Sequence, residues 1–282
     1  MKDIVPVLHS ALIIMTPLLF AATGGCFTKL AGMLNIALEG LLLAGAFSAI
    51  TAVYYTGSLP AGLAAAVLTS VTLSALLAFT VLKLRSNVFI SGLAVNLFAG
   101  GMTVVLSHYL FNTRGVVALR DIKILPVIAG HSLYVYAGLL LLFLSKLVIY
   151  DTPFGYRLRA CEKNPDVLAS LGIKADIYRF AAFLISGFFC GIGGAFLSLN
   201  LGAFVPNMTA GKGWIALVVI FLGGNKPIGL LAAAFAFGLA ESFSNFAQSL
   251  LHVPVDLILA IPYIFTLLAM VPVSARIRKI RY

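Results

Sequence analysis

Runs of about twenty apolar residues without period-two alternation recur along the chain, at 8–27, 34–55, 61–82, 89–110, 133–149, 180–199, 228–250 and 255–271. About 20 residues of α-helix cross a bilayer core, and in hydrocarbon every backbone polar group needs an internal partner. Barrel strands would alternate apolar and polar positions, and these runs do not. The pattern therefore predicts an all-α, polytopic transmembrane helical bundle of about 8–10 spans, forming a single domain over 1–282. Composition agrees. Hydrophobic residues make up 61% and charged residues 10% of the 282, against roughly 25% charged in soluble domains, and the mean hydropathy is +1.08.

The formal net charge is +10. In a soluble protein that would suggest nucleic acid, but here the basic residues flank the apolar runs and report orientation. A shorter run at 214–222 reads as a ninth span, as part of a tilted or broken helix beginning near Pro206, or as a re-entrant segment. Counted as a span, it puts Lys29, Lys83, Arg85, Lys146, Arg157, Arg159, Lys163, Lys174, Arg179, Lys226, Arg276, Arg278, Lys279 and Arg281 on one side. Lys2, Arg114, Arg120, Lys123 and Lys212 fall on the other. The positive-inside rule then places the amino terminus outside and the carboxyl terminus in the cytoplasm. Met1-Lys2-Asp3 carries too little positive charge for a secretory leader, so the first helix is expected to be uncleaved. Cys26, Cys161 and Cys190 have no metal or disulfide spacing.

One polar stretch, 150–179, falls on the basic side. Within it Glu162, Asn164, Pro165, Val167, Leu168, Leu171 and Gly172 supply the signals of a short helix. Asn164 can cap, Pro165 suits the first position, Asp166 favours the positive end of the dipole and Gly172 can terminate in a left-handed conformation. Val167, Leu168 and Leu171 are expected to share an apolar face. Such a helix can lodge in a partner's groove, lie on the membrane surface or pack on its own bundle.

The stretch FGYRLRACEKNPDVLASLGI resembles the ATPase-contacting segment of permease subunits of binding-protein-dependent ABC importers of the nucleoside and simple-sugar type. GGCFTKLAGMLNIALEGLLLAGAF and FVPNMTAGKGWIALVVIFLGGNKPIGLLAAAFAFGLAES resemble the same family, in the same order, and the closest likeness is to the shorter of two nucleoside-type permeases. The resemblance implies a second permease subunit, heterodimeric or homodimeric, and a cytoplasmic ABC ATPase that carries the ATP and Mg. It also implies an external substrate-binding lipoprotein or periplasmic protein, a bacterial inner-membrane location, and no cofactor on this chain. It assigns the seven residues from Glu162 to Gly172 named above to ATPase docking. Lys226-Pro227 stands where the family more usually has Asn-Pro.

No catalytic constellation competes with that reading. Thr209-Ala210-Gly211-Lys212-Gly213 lacks the Ser or Thr after Gly-Lys that a phosphate loop requires. His9, His108, His131 and His252 have neither metal spacing nor paired carboxylates.

Ionisable and amide side chains inside a bilayer are costly, and those that occur face the bundle or a wet path. Asn35 and Glu39 are expected on one face of the second span. Glu241, Asn245 and Gln248 form an i, i+4, i+7 stripe, and Asn96, Thr103 and Ser107 a weaker one. These are the candidates for a solute path, with interhelical hydrogen bonding as the alternative; for Glu39 the structural role is favoured. Ser186, Gly187, Cys190, Gly191 and Gly194 put small residues at the spacing of a helix-packing surface. No basic residue is expected deep in a span. That favours a neutral polar solute, a nucleoside or another ribose- or ribityl-bearing compound such as a flavin, with a simple sugar as the alternative. A competing class is a proton-coupled secondary transporter using Glu39 or Glu241. Another is a membrane scaffold.

Overall fold

The structure, a computed structural model, describes residues 4–119, 127–128 and 130–250. Among the described residues, seven helices are long and apolar enough to cross a membrane: α1 (Ile4–Leu30), α2 (Leu38–Thr56), α3 (Leu59–Leu82), α4 (Val88–Phe111), α5 (Leu133–Asp151), α8 (Ala175–Leu201) and α10 (Pro227–Leu250). Between α5 and α8 lie two short helices, α6 (Pro153–Lys163) and α7 (Pro165–Ser170), and before α10 comes the 11-residue α9 (Lys212–Leu222). The protein is thus a multi-pass helical membrane protein. The predicted run at 255–271 and the basic tail at 276–281 lie outside the described residues.

The ends of these helices follow local chemistry. The Asn87 side chain accepts the amides of Phe89 and Ile90 at the start of α4, and Ser132 accepts that of Tyr134 at the start of α5. Thr152 caps α6, with Pro153 at its first position. Gly57 and Gly202 end α2 and α8 in the left-handed region, where a Cβ would be strained. Of four short strands, β1 (Val117–Ala118) and β4 (Ala203–Phe204) pair antiparallel and tie the segment after α4 to the segment after α8, while β2 (Val127–Ile128) and β3 (His131–Ser132) pair with each other before α5 among the described residues.

The core is built around α8. Gly187 and Gly191 sit against α3 backbone at Ser70–Val71 and Ala66–Val67, and Gly194 sits against α2 at Leu42–Ala46; none leaves room for a Cβ. Ser74 Oγ donates to the Phe183 carbonyl and Ser70 Oγ to that of Leu41, and Cys190 is fully buried. Small side chains allow backbones to approach, and hydroxyls then bond across the contact.

The second span begins later than the sequence suggests. Gly32 turns left-handed, the chain runs irregularly to Ala37, and helix resumes at Leu38. Asn35 Oδ1 accepts the Ala37 amide at 3.0 Å, a local bond that competes with helix. Asn35 and Glu39 therefore do not share a helical face, contrary to their spacing. This break lies well inside the bundle. Asn35 Nδ2 donates to Ser186 Oγ at 2.9 Å, and Ser186 is the twelfth residue of α8, about 16 Å from its start at 1.5 Å per residue.

The 214–222 run is the helical half of a broken crossing. From β4 the chain descends through turns with left-handed Asn207, Ala210 and Gly211, and α9 then completes the passage. Its far end comes beside Lys29, whose ammonium lies 5.9 Å from the Phe221 ring centroid.

Candidate solute path and partner face

Two breaks meet at the middle of the bundle. Glu39, in the first turn of α2, accepts the amides of Gly211 at 2.8 Å and Gly213 at 2.6 Å, the unpaired donors at the head of α9. The carboxylate also faces the positive end of that helix dipole. Gly213 lies directly on the α2 backbone at Leu38–Glu39, where a side chain would collide. Asn96 stitches the α1–α2 break to α4, accepting the Gly40 amide at 2.7 Å and donating to the Ile36 carbonyl at 2.9 Å. Asn35, Asn96 and Glu39 thus satisfy backbone groups that the breaks leave open.

Beside them, Lys212 Nζ lies 2.8 Å from Glu241 Oε1, with the two side chains 13% and 23% exposed. The sequence reading places Lys212 in an outer loop and no basic residue deep in a span. The structure corrects this: the ammonium meets the fifteenth residue of α10, inside the bundle, and is neutralised there. The useful signal was the failed phosphate-loop motif, whose glycines present amides and a lysine to protein carboxylates. Of its stripe, Glu241 pairs with Lys212, Asn245 is exposed, and Gln248 keeps a buried Nε2 with no partner among the described residues. Thr103 is buried and bonds its own helix at the Gly100 carbonyl, while Ser107 Oγ and Thr209 Oγ1 are buried without a partner among the described residues. No cluster able to hold a metal occurs among the described residues.

At the other end of the bundle, α6 and α7 form a compact projection. Lys29 pairs with Glu162 at 2.9 Å, and Arg179 bonds the carbonyls of Ala31 and Cys161 and the Asp176 carboxylate. These contacts bind the projection to the ends of α1 and α8. Burial pushes the Cys161 thiol above its ordinary range, and all three cysteines are free and buried. Tyr150 donates to the Asn225 carbonyl in the α9–α10 turn, and the Arg159 guanidinium lies over the Tyr150 and Tyr156 rings at 4.8 and 5.0 Å.

Two details of the short helix differ from expectation. Asn164 makes no side-chain cap; it ends α6 and starts α7 with φ −144° and ψ 64°, placing its side chain away from the capping position. Leu168 is 3% exposed and packs inward, whereas Val167 and Leu171 are 56% and 68% exposed. Val167 and Leu168 point about 100° apart on a helix, enough for one to pack inward while the other stays exposed. Pro165 starts α7 and Gly172, at φ +73°, ends the segment as expected.

Residues 7–271 match the family described as branched-chain amino acid transport system / permease component. The guanosine ABC transporter permease protein NupQ of Bacillus subtilis (strain 168) is 31% identical, over 95% of this chain and 93% of its own length. The nucleoside ABC transporter permease protein NupC of Lactococcus lactis subsp. cremoris (strain MG1363) is 30% identical, over 94% and 90%. A solved ABC transporter in an inward-facing conformation superposes with a TM-score of 0.53 at 15% identity, over 95% of this chain and 87% of that one, a likeness of fold alone.

Proposed function

The chain belongs to the branched-chain amino acid transport system / permease component family, and on that premise we propose that it is the permease subunit of an ABC importer for a neutral, ribose-bearing solute of the nucleoside type. The observation that carries the solute class is the pairing at the middle of the bundle. A helix start within a membrane is a ready site for an anion, and in many transporters such ends point at anionic groups of the substrate. Here Glu39 already occupies the α9 amides and Glu241 already neutralises Lys212. Among the described residues no open positive site is left there for a phosphate or carboxylate, so a neutral solute fits. The names of the two relatives above, which specify guanosine and nucleosides, favour a nucleoside, with a simple sugar as the alternative.

In this reading the α6–α7 end is cytoplasmic, and the exposed Val167 and Leu171 dock into a separate ABC ATPase that performs the hydrolysis. A second permease subunit completes the path, and an external binding protein delivers the solute at the opposite end, in a bacterial cytoplasmic membrane. Both carboxylates being committed to partners within the chain, neither is free to carry a transported proton.

The test is uptake of radiolabelled guanosine into vesicles holding the assembled importer. Uptake is expected to require ATP and the binding protein and to survive a protonophore. Uptake that persists without ATP and collapses with the protonophore would overturn the reading. Asn245→Ala is expected to slow uptake while the protein still assembles, whereas Glu241→Ala, which leaves Lys212 without its partner, should also lower the yield of folded protein. Reporter fusions at Arg157 and Arg114 should give inside and outside signals.

A further inference from the structure

At the α6–α7 end, the last turns of α3 and the first turns of α8 part to leave a cleft of about 890 Å³, closed on its third side by α7. Its walls are apolar and open outward: Phe79 is 50%, Ile177 63% and Phe180 38% exposed, with Leu82 beside them. Side chains this apolar, at the end of membrane-spanning helices, need hydrocarbon or a partner against them. Two exposed cations stand at the rim. Lys83 follows the last residue of α3 and Lys174 precedes the first of α8, so both mark the level where hydrocarbon gives way to headgroups. One carboxylate, Asp176, also lines the cleft, but its Oδ1 pairs with Arg179 at 3.3 Å, which leaves the two lysines with no ion-pair partner among the described residues.

A basic rim over an apolar groove at the bilayer boundary has the chemistry of a lipid site. We propose that this cleft binds an anionic phospholipid, with Lys83 and Lys174 on the headgroup phosphate and an acyl chain along Phe79, Leu82, Ile177 and Phe180. A protein partner suits it less well. The outward apolar pair, Val167 on α7 and Leu171 at its end, does not line the cleft, which meets Pro165 and Ala169 of α7 and Gly172 just beyond it instead. The two surfaces lie on different sides of the same short helix.

The proposal is tested on the full-length purified protein by native mass spectrometry, titrating phosphatidylglycerol and phosphatidylcholine of the same acyl composition. Wild type is expected to retain phosphatidylglycerol at least tenfold more tightly. Lys83→Gln with Lys174→Gln should abolish that preference, and Arg85→Gln, an exposed cation outside the cleft, should leave it unchanged. Ala169→Trp, at an exposed position that fills the groove without altering charge, should weaken binding of both lipids. Thermal melts confirm that each variant is folded. Equal binding of the two lipids by wild type overturns the proposal, as does retained preference in the double lysine variant. An equal loss in Arg85→Gln would do the same, by showing diffuse surface charge. If the double variant keeps its lipid but loses an ATPase partner on co-purification, the cleft belongs to that partner and the proposal fails.

Discussion

α8 and α4 are both long, strongly apolar helices, yet 67% of the most apolar window of α8 is buried inside the protein and only 17% of that of α4. In water, apolar character decides burial. In lipid it does not, because hydrocarbon tails solvate leucine as well as a protein core does. What separates the two helices is the placement of small and hydroxyl residues. α8 puts Gly187, Gly191 and Gly194 where neighbouring backbones touch it, while Gly100 and Gly101 of α4 have open space around them.

The contrast is sharpest under substitution. Gly191→Leu forces a side chain into the α3 backbone at Ala66–Val67, and overpacking of this kind costs about 3 kcal/mol or more where backbone cannot give. Gly100→Leu on α4 meets nothing and should change stability by less than about 0.5 kcal/mol. Monodisperse yield and thermal melting in detergent measure both. Equal losses would mean that α4, like α8, is packed against protein in the membrane.

Lys212 and Glu241 extend the same logic to charge. Removing one member leaves the other uncompensated at a largely buried position, so Lys212→Met should destabilise by about 2–3 kcal/mol, below the full cost of a wholly buried ion. Lys212→Met with Glu241→Gln removes both charges and should recover most of that loss. If the double variant is no more stable than the single, the pair is not holding the head of α9 in place.

On α7 the inward and outward faces are separated by single residues. Leu168→Asp buries a charge against the chain's own helices and is expected to cost about 3 kcal/mol, with lost folded yield. Leu171→Asp changes an exposed position and should leave folding intact while reducing co-purification with the ATPase. The two readouts should therefore exchange: stability for Leu168, association for Leu171. A Leu168→Asp protein that is stable but fails to bind would restore the expectation that this residue faces the partner.

Most of the span pattern was legible because it depends only on hydrocarbon length, and the glycine spacing of α8 because backbone approach has one chemical signature. The breaks were not legible. From Leu34 onward the sequence is apolar enough to read as continuous span, and only the bond from Ala37 to the Asn35 side chain shows why helix waits until Leu38. The pairing of Lys212 with Glu241 was hidden because the residues are 29 apart and a lysine beside glycines reads as loop. Leu168 was misplaced because a six-residue helix has too few turns for spacing to fix its face.

A smaller loss is expected at the junction of the two breaks. Glu39→Gln preserves shape and leaves one side-chain oxygen to accept from the α9 amides, but it removes the negative charge and turns the other acceptor into a donor facing an N–H. A charge-assisted bond is roughly twice as strong as a neutral one, and a carboxylate at a helix start adds about 0.3–1 kcal/mol. The loss should be about 1–2 kcal/mol, seen as a modest fall in melting temperature. Protection of the Gly211 and Gly213 amides should fall further than protection along α8, because those donors rely on this side chain and not on a helical carbonyl. Hydrogen exchange on the detergent-solubilised protein separates the two. If both amides exchange as slowly in Glu39→Gln as in wild type, the carboxylate does not anchor α9, and Glu39 returns to being a candidate for contact with the solute.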